Sequence, residues 1–167
     1  MENPSAYTNY LTPATVIIGW IIVNWQNNKR EERKELRSAL SEIVESIELL
    51  EDAASRYHQA DERNSIMEKE INLKITRLSA KIRYLRFESQ LLNNAFIELK
   101  KSITLDNFET SHFSKQEPNA EIIESIYYSA DSLRDRLEEE FSTLYRGPLR
   151  YRISASIRNF LSSCRQK

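Results

Sequence analysis

Glycine and proline are scarce, at two and four residues in a chain of 167. β-Sandwiches and dinucleotide-binding folds need glycine at many turns, so this poverty excludes them and leaves long helices joined by few turns. Cysteine occurs once, at Cys164 near the C-terminus, which rules out an intrachain disulfide and a secreted domain stapled by disulfides. An excess of one charge is missing too: 24 Lys and Arg stand against 25 Asp and Glu, a net charge of -1, which supplies no global field to recruit nucleic acid. No Gly-rich phosphate loop or nucleophile elbow is present, and the two histidines, His58 and His112, lie far in sequence from the cysteine. His58 with Asp61 and Glu62 is the nearest approach to a ligand cluster, and its spacing is that of a solvated turn. The expectation is a protein that is not an enzyme and holds no metal or cofactor.

A further absence is local, since residues 1–28 contain no Lys or Arg. A cleaved signal peptide has a basic start and a small-residue cleavage site, so this segment is expected to stay on the mature protein. It contains an apolar run, Pro13, Val16, Ile17, Ile18, Gly19, Trp20, Ile21, Ile22, Val23 and Trp25, with no polar side if helical. Thr12 and Pro13 have the form of an N-cap and a first helical residue. A helix over 13–25 is only about 20 Å long; begun at Tyr7 it reaches about 28 Å, against a hydrocarbon core of about 30 Å. Tyr7 and Tyr10 near one end, with Trp20 and Trp25 towards the other, form an aromatic belt, and Lys29, Arg30, Arg33, Lys34 and Arg37 follow. This asymmetry predicts a single transmembrane span, N-terminus outside and C-terminal bulk cytoplasmic. Thr15 and Gly19, four apart, would let two spans pack closely, and Lys29, Arg30 and Arg33 would meet lipid headgroups.

Beyond the charged stretch, apolar residues fall at Leu36, Leu40, Ile43, Ile47, Leu50, Ala54 and Tyr57, alternating spacings of four and three. That heptad pattern predicts a helix continuous with the span. The polar segment 58–65 either breaks it, with Ser65 and Glu68 in capping-box positions for a second helix, or carries it through as a single rod. The heptad resumes at Ile71, Ile75, Leu78, Ile82, Leu85, Leu92, Phe96, Leu99 and Ile103, interrupted at Ser89. One helix over 65–103 would be about 58 Å long and would fold back on the first.

Residues 104–119 lose the period and form a loop; a third helix follows over 120–146, with Ile123, Ile126, Ala130, Leu133 and Leu137 on one face. The tail 147–167 is basic, and Arg150, Arg152 and Arg158 around Ile153, Ile157 and Phe160 suggest a short amphipathic helix that contacts lipid or docks on the bundle. The expected fold is all-α: an anchor over 1–25, a heptad hairpin over 26–103 or a three-helix bundle or coiled coil, and the tail helix. Lys74, Arg77, Lys81, Arg83 and Arg86 with Tyr84 and Phe87 resemble a nucleic-acid surface. Acidic residues at 42–52 and 131–140 offer complementary partners within or between chains, so nucleic acid is disfavoured.

A short span with "GW" in its middle, followed by "NNKREERKELR" and heptads, resembles small bacterial single-span inner-membrane proteins with a heptad-rich cytoplasmic region, over Thr12 to about Leu85. The resemblance implies an inner-membrane address and no chemistry. The functional expectation is a scaffold that self-associates as a homo-oligomer or binds a protein partner. A membrane-disrupting effector, as in phage defence, and a soluble helical adaptor are the alternatives.

Overall fold

The computed structural model describes residues 5–87 and 89–146. Within them lie α1 (Ser5–His58), α2 (Ser65–Tyr84), α3 (Gln90–Thr104) and α4 (Glu121–Arg146), and no strand, so the described chain is all-α. It divides into two compact units, Met1–Ala39 and Leu40–Lys167. The expected tail helix, with Arg150, Arg152 and Arg158, lies outside the described residues, as does Cys164.

In the first unit α1 begins at Ser5, upstream of the start expected at Pro13. Pro13 therefore sits inside the helix, where it removes one backbone donor. No helix among the described residues is long and apolar enough to cross a membrane. Thr12, Pro13 and Thr15 precede the run that ends at Val23, and Asn24, Gln26, Asn27 and Asn28 follow it. These residues dilute any stretch of the ~20 residues that a span needs. The expected transmembrane helix is thus not supplied by the length and apolarity of α1.

The second unit is built on the heptad positions. Leu40, Ile43, Ile47, Leu50, Ala54 and Tyr57 of α1 are buried, and so are Ile71, Ile75, Leu78 and Ile82 of α2 with Leu85 just beyond it. Leu92, Leu99 and Ile103 of α3 and Ile123, Ile126, Ala130, Leu133 and Leu137 of α4 complete the core. Leu36, in the first unit, and Phe96 are half-buried. Each fully buried Leu or Ile is worth about 1.5–3 kcal/mol of transfer free energy, which makes this core the main source of stability.

Side-chain bonds fix the directions. Tyr57 bonds Glu68 and Ser46 bonds Lys81, so α1 and α2 are antiparallel. Ser55 meets Tyr127 and Glu51 pairs with Arg134, so α1 and α4 are antiparallel as well. α3 packs along α4, with Ser102 and Ser129 bonded at 2.7 Å.

Two expectations are corrected here. The single helix expected over 65–103 is two helices, because the chain reverses between Tyr84 and Gln90. Arg86 takes a left-handed backbone (φ 53°), and the Ser89 side chain caps α3 by accepting from the Leu92 amide at 3.3 Å. The hairpin or three-helix bundle thus becomes a four-helix unit. The start of α2 is also capped differently: the Asn64 side chain accepts from the Ile66 and Met67 amides at 3.0 and 3.2 Å, which places Ser65 within the helix and frees Glu68 to turn inward.

Candidate functional site

Chemistry-bearing side chains gather at the end of the second unit where α1 stops. Tyr57 is the last buried heptad residue of α1, and its hydroxyl donates to Glu68 Oε1 at 2.7 Å. Arg63 completes the carboxylate's shell, Nε to Oε1 at 2.7 Å and Nη2 to Oε2 at 3.0 Å. The Arg63 bond holds the Glu68 carboxyl below the usual carboxylate range, although burial pushes the other way. Burial first, and then the Glu68 carboxylate, push the Tyr57 hydroxyl up to about 12. The Tyr57 ring meets Phe108 and Phe113 edge-on, with centroids 5.2 and 5.3 Å away.

His58 is 0% exposed, not part of a solvated turn. Its Nε2 lies 3.1 Å from the Ile103 carbonyl, which can only accept, so Nε2 carries the proton. Nδ1 then accepts from Asn107 Nδ2 at 3.3 Å. Asn107 cannot turn over without loss, because Oδ1 accepts from the Ser114 amide and Nδ2 donates to the Ser114 carbonyl, both at 2.9 Å. Burial pushes the His58 pKa down, and a second ring proton would face an amide donor.

The loop expected over 104–119 is therefore a plug. Asp106 and Glu109 take left-handed backbones, φ 56° and 50°, on either side of Asn107 and Phe108, which are buried. The Gln116 amide donates to the His58 carbonyl at 2.8 Å, and Lys115 pairs with Asp61 at 2.7 Å. Among the described residues every buried side-chain nitrogen and oxygen has a partner, and no group of three or more His, Cys, Asp or Glu is placed to hold a metal. A fully satisfied buried network of this kind holds its side chains in one arrangement. The signal for it in the sequence is Phe108 and Phe113, two aromatics in a segment that is mostly polar.

The first unit offers the opposite: apolar side chains with nothing over them. Val16, Ile17, Ile18, Trp20, Ile21, Ile22, Val23 and Trp25 are all exposed, Trp20 at 67%, on every side of the helix. A side chain at Gly19 would meet nothing within 4 Å. Beyond this belt the charge is muted by pairs within the helix, Lys29 to Glu32 at 2.7 Å and Lys34 to Glu31 at 2.9 Å.

On α2 the cations meet little acid. Lys74 reaches Glu70 at 3.4 Å and Lys81 bonds the Ser46 hydroxyl at 3.0 Å, but no ion pair among the described residues joins Arg77, Lys81 or Arg83 to a carboxylate. The complementarity expected within the chain is carried instead by Arg134 and Glu51, between α4 and α1. No family model, no curated protein and no solved structure matches this chain.

Proposed function

We propose that the protein is a membrane-anchored helical interaction protein, held at an inner membrane by its N-terminal segment and presenting the four-helix unit to a second copy or a protein partner. The observation that carries this is the belt at residues 16–25, exposed on all sides. A contiguous apolar surface of that kind marks an interaction site, and lipid covers a helix from every side where one flat partner covers a single face. The belt is short for a span. Since α1 is helical from Ser5, Tyr7 to Trp25 adds up to about 28 Å of helix, and local thinning of the bilayer supplies the remainder.

The heptad residues serve this function as core, because Leu40, Ile47, Leu78 and Leu99 are each buried within one chain. Partners therefore meet the outer helix faces. The test is carbonate extraction of membranes holding the full-length chain. The protein should stay in the pellet, and deletion of residues 1–25 should move it to the supernatant; a full-length chain that washes off overturns the anchor.

A further inference from the structure

On the outside of the second unit, α1 and α2 share a face with an unusual surface. The bond from Lys81 Nζ to Ser46 Oγ, 3.0 Å, marks the seam between them. On the α2 side, Ile66, Leu73, Arg77 and Tyr84 follow at spacings of seven, four and seven, which align on one side of a helix. Ile66 is 76%, Leu73 48% and Tyr84 80% exposed, and Arg77 and Lys81 stand among them. On the α1 side, Leu49 is 51% exposed, with Glu42 and Glu45 beside it. Each helix thus sets exposed apolar side chains among charges of a single dominant sign: acidic on α1, basic on α2.

We propose that this face is the self-association surface, pairing with the same face of a second copy about a two-fold axis parallel to the helices. Rotation about that axis sets α1 of one copy on α2 of the other, twice over. The heights match: Lys81 is level with Ser46, so Arg77 and Lys81 of one copy come opposite Leu49, Glu45 and Glu42 of the other. The helix directions match as well, since α1 and α2 are antiparallel, and helices paired in that sense have opposed dipoles. An axis across the helices would instead set α1 on α1 and α2 on α2, acid on acid and base on base, so the charges select one geometry by penalising the other.

The area is sufficient. Two helices about 30 Å long and about 10 Å wide cover roughly 600 Å² per copy, about 1,200 Å² in all, the lower end of specific interfaces. Charge complementarity assigns the face to a second copy over nucleic acid or anionic lipid, either of which would be repelled by Glu42 and Glu45. This rests on the self-association part of the function proposed above and is independent of the anchor.

The test uses two full-length variants in mild detergent, followed by sedimentation equilibrium. Arg77→Glu with Lys81→Glu makes both helices acidic on this face; Glu42→Lys with Glu45→Lys makes both basic. Each alone should dimerise at least tenfold more weakly than the natural chain, and an equimolar mixture should restore dimers that contain one of each. All four positions are exposed, so helicity should not change, and Leu73→Gln provides a second, uncharged weakening. A natural chain that is monomeric, or dimers that need bound RNA, overturn the proposal. So do variants that dimerise as well as the natural chain, or a mixture that restores nothing. If the chain assembles but ignores these charges, this face is wrong while self-association stands; if it dimerises here yet leaves membranes in carbonate, only the anchor fails.

Discussion

Tyr57 and His58 are neighbours in sequence whose protonation bounds stability from opposite sides. Burial favours neutral His58, so the folded pKa lies below the ordinary 6.5 and the unfolded chain binds more protons as pH drops. The stability His58 contributes is complete above about pH 6.5 and declines below it. Glu68, whose pKa is also lowered, adds a further loss at more acid pH, below the ordinary value of 4.5. Tyr57 is raised from 10.0 to about 12, so its contribution is complete below pH 10 and is lost between there and 12. Urea unfolding across pH should show a plateau between these limits. Tyr57→Phe should remove the alkaline decline and cost about 1.5–3 kcal/mol at neutral pH, the value of a hydrogen bond to a charged group. An unchanged alkaline limb in that variant would remove Tyr57 from the account. None of this is legible in the sequence, where Tyr57 is one more heptad position and His58 the start of a polar stretch. Their partners, Glu68, Ile103 and Asn107, are brought by tertiary packing.

Between Tyr84 and Gln90 the chain reverses, yet the apolar period runs through it. Leu85 and Leu92 are seven apart, a full heptad, so a turn of a few residues leaves the phase of the pattern intact. Periodicity records which side of an element is apolar and carries no information on whether the element has turned round. The turn signals that remain are weak, since Ser89 is an acceptable helix residue and left-handed Arg86 has no glycine to announce it. The other elements were far more legible: the loop after Thr104, the fourth helix and the buried positions of α1 follow directly from spacing and from the few prolines. Because Ile43 and Ile82 both face the core, at 1% and 8% exposure, Ile43→Asp and Ile82→Asp should each cost 4 kcal/mol or more, roughly the penalty for an unpaired buried charge. Circular dichroism with thermal melting checks this; variants that melt with the natural chain would mean that the core is elsewhere.

For the molecule as a whole, sequence and structure agree on where the apolar surface is. Residues 16–25 were legible as an all-round apolar segment, and the helix does expose them on every side, but the flanking asparagines and threonines keep it from being a span by length and apolarity. Most of the heptad residues lie in the interior of the second unit, and Leu36 and Phe96 are half-buried. The loop that plugs the second unit has a consequence for how that unit opens. The Gln116 amide is held by the His58 carbonyl at 2.8 Å, and the Ser114 amide at 2.9 Å by Asn107, itself bonded to the His58 ring, so the last residue of α1 holds down a segment about fifty positions later. Releasing these amides means dismantling the contact between the first helix and the last connection. In hydrogen–deuterium exchange the Ser114 and Gln116 amides should therefore be as slow as the helix core, while a plain surface loop would exchange at once. The segment that most resembles a passive connector would then report global unfolding.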